Sequence, residues 1–324
     1  MASEFERIDE IRKRLGSERA NGVLIGIGDD AAVLAPSAAA QVLSVDTQVD
    51  GVHFRQDLLA AQDIGQRALS AALSDLAAMG ARPRAGLLAL VVPAELTDAT
   101  LYAIADGVAE AANRYGCPII GGNLARGTQL SLTTTVIGEH EGTPLTRAGA
   151  RPGERLFVAG ELGSAALGLR ALLAGRGEQV PAAVVRWRTP EALLAVGRAL
   201  SERAAGQSPG PSAAIDVSDG FLQDLAHLAR ASNVGFEIEL ARLPLGPDVA
   251  EHAQALGSDP RALALGGGED YALLFTAPAN AAGLPGVEVG RACAEPGIRL
   301  RDERGTIVPP PPSIGFDHFA TRDS

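Results

Sequence analysis

Five short acidic segments, flanked by glycine or by a short apolar run, recur along the chain: GIGDDAAV (26–33), SVDTQVDGVHF (44–54), LSDLAAMG (73–80), AIDVSDG (214–220) and GGGEDY (266–271). A turn or a helix cap explains an Asp beside Gly in any one of them. Five together constrain the fold more tightly, because carboxylates about 4 Å apart at an effective dielectric near 20 repel by roughly 4 kcal/mol per pair. Either the chain keeps Asp30, Asp46, Asp75, Asp216 and Asp219 apart, or it gathers them around a divalent cation. Hard oxygen ligands suit Mg²⁺, which commonly bridges to phosphates. Lys13 is the chain's single lysine, so phosphate would have to be held by metal, arginine and backbone amides.

The same residue counts exclude several chemistries. The phosphate loop GxxxxGK[ST] does not occur, and Lys13 falls on the opening helix, away from every acidic segment. Lysine nucleophiles and Schiff bases are excluded on the same ground, and a serine hydrolase by the lack of GxSxG. Cys117 and Cys293 make neither a disulfide framework nor a zinc pattern. His140, His227, His252 and His318 lack metal-ligand spacing, whereas His53 lies inside an acidic segment. A net charge of −11 and a pI near 5.0 argue against nucleic acid as a partner. The longest apolar run, Ala85 to Val92, ends at Pro93 and is too short to cross a membrane. Glu4, Glu6, Asp9 and Glu10 at the start do not read as a secretory signal, so the expected setting is cytoplasmic and reducing.

Periodicity predicts an opening helix with Phe5, Ile8, Ile11 and Leu15 on one stripe, a short strand over 42–45 leading into Asp46, and a long helix over 62–79. Around Asp75 that helix is apolar (Ala71, Ala72, Leu73, Leu76, Ala77), and an ionised Asp buried there asks for a cation. Further strands are expected over 87–92, 118–120 and 130–137, with a helix over 97–114. Thr143 to Glu154, rich in Pro, Gly and Arg, reads as the domain boundary. Beyond it come a strand over 155–159, helices over 164–173 and 190–204, and an amphipathic helix carrying Phe221, Leu222, Leu225 and Leu228. Asp216 ends a short strand, with Ser218 or Asp219 placed to cap the helix that follows. Gly266 to Gly268 put Glu269 and Asp270 at the mouth of a strand over 271–275, in a glycine-rich turn that on its own could equally leave both acids solvated.

Taken with LTRAGARPGE (145–154) and GFDHF (315–319), the five segments in this order resemble the thiamine-monophosphate kinase family, within the superfamily of aminoimidazole ribonucleotide synthetase, over nearly the whole chain. GIGDDAA, DTxVDGVHF and GGEDYxL in combination carry the resemblance, while SDLAAMGA and DxSDG are shared more widely. The resemblance implies an α+β fold of two domains, each a mixed sheet with helices on one side. Residues 1–147 are then the N-terminal ATP- and metal-binding and dimerisation domain, and 148–324 the C-terminal domain completing the nucleotide and substrate site. It further implies a homodimer formed through the N-terminal sheets. Mg²⁺ ligands are implied at Asp30, Ser44, Asp46, Asp75, Asp216 and Asp219, ATP contacts at Gly122, Arg147 and Ser218, and substrate contacts at His53 and Glu269.

Two positions depart from the family pattern. Gly121-Gly122-Asn123-Leu124 stands where the family commonly has GGDT, so Asn123 offers an amide oxygen in place of a carboxylate, with one negative charge fewer for a metal. A substrate-facing aromatic near the C-terminus aligns with Ser313, leaving Phe316 as its substitute. The implied activity is phosphorylation of thiamine monophosphate by ATP with several Mg²⁺ ions. Such in-line transfer needs positioning and charge neutralisation more than covalent help. A phosphate monoester with a second pKa near 6 is mostly dianionic at neutral pH, so no catalytic base is required. The alternatives are a nucleotide-binding member without turnover, kept open by Asn123 and Ser313, and another ATP-using enzyme of the superfamily such as the synthetase itself.

Overall fold

The computed structural model describes residues 3–16, 22–206 and 209–316, so His318 and the end of GFDHF lie outside the described residues. The chain divides into two compact units, Met1–Leu76 with Ala81–Gly142, and Ala77–Gly80 with Thr143–Ser324.

In the first unit α1 (Glu4–Leu15) is closed by a Ser3/Glu6 capping box and by Gly16 in the left-handed conformation. A small ribbon, β1 (Val23–Ile25) with β2 (Val33–Leu34), precedes β3 (Ala40–Val49), α2 (Ala61–Ala78), β4 (Arg82–Val92), α3 (Asp98–Tyr115), β5 (Ile119–Arg126) and β6 (Ser131–His140). The four long strands form a mixed sheet in the order β3-β6-β4-β5, with β4 and β5 parallel and the other pairs antiparallel. Helices cover one face, and α2 and α3 meet backbone to backbone there. A side chain on Gly65 would collide with the Ile104 carbonyl, and one on Gly107 with the Gln62 carbonyl. Buried residues of α2 such as Ile64, Leu69, Leu73 and Leu76 each contribute about 1.5–3 kcal/mol by leaving water.

Strand β3 is ten residues long where the sequence predicts four. Its inward positions are Val42, Ser44, Asp46 and Gln48, so polar residues fill the side that alternation normally marks as apolar. The ladder to β6, from Ala40↔His140 to Val49↔Ser131, holds it extended regardless. Asp46 therefore sits within a strand and not after one, and shares its face with Ser44 and Gln48. On the opposite face Leu43 and Val45 are 64% and 62% exposed.

The second unit is built on a mixed seven-stranded sheet, ordered β13 (Ile307–Val308), β12 (Ile298–Arg301), β9 (Gly235–Glu239), β11 (Val287–Cys293), β7 (Arg155–Ala159), β10 (Leu273–Ala277) and β8 (Ala213–Asp216). All neighbours are antiparallel except β12 with β9. Helix α7 (Phe221–Ser232) lays Phe221, Leu222, Leu225 and Leu228 into the core against Ile215, Phe236 and Leu274. A second cluster joins α4 (Ser164–Leu173), α5 (Pro181–Arg188), α8 (Pro247–His252) and α9 (Pro260–Gly266) through Leu167, Val184, Val249 and Leu263. Helix α6 (Leu194–Ala205) starts four residues after Pro190, which the sequence places at its head. Helix α5 escapes the sequence pattern because β-branched and aromatic residues dilute its propensity, although Pro181 at its first turn is a start signal.

Candidate active site

In the first unit Ser44 and Asp75 come together: the Ser44 hydroxyl donates to Oδ2 of Asp75, from β3 to α2. Asp46 lies two residues along the same face and accepts at Oδ2 from Nε2 of Gln48 at 3.3 Å. Opposite Asp46 on β6 is Thr134, 1% exposed, whose Oγ1 is buried with no hydrogen-bond partner among the described residues. A buried hydroxyl left open opposite Asp46 makes this face polar. Gly122 and Asn123 lie on β5 opposite Leu88 and Ala89, where a side chain at 122 would collide with the Leu88 carbonyl. Asp30 is exposed between β1 and β2, its N–H donating to Asp29 at 2.8 Å. His53 occupies the turn after β3, and its Nδ1 accepts from the Val49 N–H at 3.0 Å. The neutral ring therefore carries its proton on Nε2.

In the second unit the predicted residues are knitted together by backbone bonds. The Glu269 N–H donates to the Ser218 carbonyl at 2.7 Å, Tyr271 to Val217 at 2.9 Å, and Phe316 to Asp219 at 2.9 Å. Gln223 adds a bond from Nε2 to the Phe316 carbonyl at 2.8 Å. Gly266 packs so closely under Ser313 that a side chain would strike its carbonyl. Asp216, Ser218, Asp219, Glu269, Ser313 and Phe316 thus border one another, while Arg147 stands on a separate exposed segment whose carbonyl is held by Ser232 at 2.9 Å.

Three local expectations need correction. Neither Ser218 nor Asp219 caps α7: Gly220 is the N-cap, and Asp224 reaches back instead, accepting the Asp219 and Gly220 N–H groups at 3.1 Å each. That frees the Ser218 and Asp219 side chains from capping. Burial, reinforced by the charge of Asp216, pushes the Asp224 carboxyl up to about 7. Strand β10 begins two residues later than expected, because Glu269 and Tyr271 hold positive φ angles of 60° and 49° that no strand accepts. Asp270 is not at a solvated strand mouth. Its carboxylate turns inward onto the N–H groups of Gly163 at 2.7 Å and Ala165 at 3.2 Å, serving α4 as a cap from elsewhere in the chain. Desolvation pushes its carboxyl up to about 7.

Sequence reasoning also missed Trp187, whose indole N–H donates to Glu269 Oε2 at 3.1 Å from a ring 1% exposed. It is the chain's single tryptophan, and that rarity is the one signal by which the sequence singles it out.

The proposed metal donors are all oxygens, from carboxylates, a hydroxyl and an amide, which suits Mg²⁺ and disfavours softer ions. Among the described residues no three His, Cys, Asp or Glu side chains lie close enough to hold an ion by themselves. Mg²⁺ needs no such cage, since it is commonly bound through one or two carboxylates with water and substrate phosphates. The donor chemistry and the open Thr134 hydroxyl fit that mode.

Residues 28–140 match the family described as AIR synthase related protein, N-terminal domain. Over 282 residues the chain is 38% identical to the thiamine-monophosphate kinase of Mycobacterium tuberculosis, covering 86% of this chain and 82% of that protein. Its structure resembles that of thiamine-monophosphate kinase from Stenotrophomonas maltophilia K279a, with a TM-score of 0.79, 36% identity, and 92% and 96% of the two chains covered. It resembles equally AaThiL complexed with AMPPCP and TMP, at a TM-score of 0.79 and 32% identity over 98% and 97% of the two chains. Identity at this level, across both units and with the five acidic segments in order, means that the chain belongs to the thiamine-monophosphate kinase family.

Proposed function

We propose that this chain phosphorylates thiamine monophosphate with ATP, giving thiamine diphosphate and ADP. A terminal oxygen of the substrate phosphate forms the new bond to the γ-phosphorus, the bridging P–O bond to the β-phosphate breaks, and ADP leaves with that electron pair. The substrate phosphate is already mostly dianionic at neutral pH, so no side chain has to remove a proton. The observation that carries this reading is the gathering in the second unit of the GGGEDY turn, the Asp216 to Asp219 loop and the Phe316 segment, joined by bonds of 2.7 to 2.9 Å. The related AaThiL structure, with AMPPCP and TMP bound, supports it.

Asp30, Ser44, Asp46, Asp75 and Asn123 in the first unit, with Asp216 and Asp219 in the second, are the residues proposed to hold Mg²⁺. When bound, Mg²⁺ would supply neutralisation of the phosphate charge. The chain's own groups do the positioning. Glu269, fixed by Trp187, offers a carboxylate to the thiazolium cation, and Phe316 offers an aromatic face from a segment tied to Asp219 and Gln223. His53 presents its Nε2–H as a donor to phosphate, and Gly122 gives the nucleotide a backbone free of side-chain bulk. Arg147 and Ser218 are proposed to complete the ATP contacts, and Ser313 to lie on the substrate side. The exposed Leu43 and Val45 face of the first sheet is proposed as the homodimer surface.

A steady-state assay with ATP, Mg²⁺ and thiamine monophosphate, following both products, tests the reading. Turnover is expected to vanish with EDTA and to fall at least ~10²-fold in Asp75→Asn, the scale of losing one electrostatic group from such a site. Nucleotide binding with no thiamine diphosphate formed would overturn it.

A further inference from the structure

Gln48 and Arg67 carry no role above, yet both are buried beside the proposed metal face: Gln48 is 3% exposed and Arg67 not at all. Gln48 follows Asp46 by two residues on β3 and so shares its face. Its Nε2 donates to Oδ2 of Asp46 at 3.3 Å, while its Oε1 accepts from Nε of Arg67, on α2, at 3.3 Å. An arginine side chain only donates hydrogen bonds. Arg67 thereby dictates which end of the Gln48 amide faces which neighbour: the oxygen must meet the guanidinium, and the NH₂ must meet the carboxylate. A reversed amide would set oxygen against Asp46 and NH₂ against Arg67. The result is a carboxylate held at one oxygen, Oδ2, with Oδ1 accepting no hydrogen bond among the described residues. A guanidinium stripped of water among Ile64, Ala68 and Ala71 costs several kcal/mol before compensation, which sets its retention apart from a surface arginine.

We infer that Gln48 and Arg67 are positioning residues for Asp46, presenting its free oxygen to the metal ion before the ion arrives. The inference rests on the proposed reading of Asp46 as a Mg²⁺ ligand. Groups that orient metal ligands in this way are worth 10–100-fold in metal affinity.

The test uses the full chain with a fixed, saturating concentration of AMPPCP, and follows free Mn²⁺ by electron paramagnetic resonance. Alongside it, the Mg²⁺ needed for half-maximal turnover and the unfolding temperature are measured. Gln48→Met, close in volume and without the amide, is expected to weaken Mn²⁺ binding about tenfold, which corresponds to about 1.4 kcal/mol. It is expected to raise the Mg²⁺ requirement by a similar factor, with kcat restored at high Mg²⁺. Arg67→Lys, which keeps a donor-only cation, is expected to lose less than Arg67→Met. Asp46→Asn separates the inference from the reading beneath it. If Asp46→Asn leaves Mn²⁺ affinity intact, or if the wild type binds no Mn²⁺, the ligand reading itself fails. If Asp46→Asn weakens binding while Gln48→Met lowers only the unfolding temperature, Asp46 remains a ligand and the positioning role is overturned. Should Arg67→Met not fold, Gln48→Met decides the question alone.

Discussion

Asp270 gives the structure a pH signature that can be worked out in advance. Its carboxylate faces the Gly163 and Ala165 N–H groups from a half-buried position, and desolvation pushes its pKa from an ordinary carboxylate value of 3.8 up to about 7. Between those values the folded chain keeps a proton that the unfolded chain has released. Unfolding there loses a proton, so stability falls as pH rises. The contribution is fully present below about pH 4 and is lost as pH climbs through about 7. A pH unit well inside the window is worth about 1.4 kcal/mol and the last unit below 7 less, so the interval from pH 5 to pH 7 amounts to about 2 kcal/mol. Asp270→Asn keeps the shape and removes the titration. The difference in unfolding free energy, wild type minus Asp270→Asn, is expected to fall by about 2 kcal/mol over that interval. Urea denaturation followed by tryptophan fluorescence measures it cleanly, because the single tryptophan, Trp187, is buried in the same unit. A difference that stays constant within about 0.5 kcal/mol from pH 5 to pH 7 would refute the assignment, and would mean that the two N–H bonds outweigh desolvation and keep Asp270 ionised throughout.

Replacing Trp187 with Phe keeps a buried ring and removes the N–H that holds Glu269 at 3.1 Å. With hydrogen bonds to charged groups contributing about 1.5–3 kcal/mol, KM for thiamine monophosphate is expected to rise about tenfold with kcat changed less than twofold, and equal loss in both would count against a substrate-orienting role. The paired change Leu43→Glu with Val45→Glu places two charges on the exposed sheet face, and light scattering coupled to gel filtration is expected to show a monomer where the wild type is a dimer. A wild type that is already monomeric removes that surface from the proposal.

The parts of the molecule legible in the sequence are those where one residue type has one job. The apolar stripe of α7 predicts its burial residue by residue, and Arg155–Ala159 and Ser164–Leu173 fall where periodicity places them. Strand β3 reads as shorter than it is because its inward face carries Ser44, Asp46 and Gln48, which erase the alternation that a ligand-free strand would show. Asp224 and Asp270 are hidden for another reason. Each caps a backbone through space, one across a tight turn and the other from beyond residue 260 onto α4, and no spacing rule links Asp270 to Gly163. The acidic segments are visible as a set, but which acids serve the site and which serve the backbone is decided by where N–H groups point.

That division resolves the tension between so many carboxylates and a single lysine. Asp224 and Asp270, with carboxyls pushed up to about 7, do not present full negative charges at neutral pH. Asp50 accepts from Gln56 at 2.7 Å and holds a turn. Among the acids proposed to hold ions this leaves Asp30, with Asp46 and Asp75 on one wall of the first unit, and Asp216 and Asp219 at the end of β8 and just beyond it in the second. On the first wall the compensating positive charge is already inside the protein, as Arg67, one amide away from Asp46. A lysine there would be a flexible point charge, whereas the planar guanidinium fixes the Gln48 amide through its Nε at 3.3 Å. The use of arginine is therefore a matter of geometry at this position, whatever the composition of the rest of the chain. It also explains how a strand with Ser44, Asp46 and Gln48 facing inward is stable enough to carry the site: each polar group but the free oxygen of Asp46 meets a defined partner, and that free oxygen is the one a metal ion would occupy.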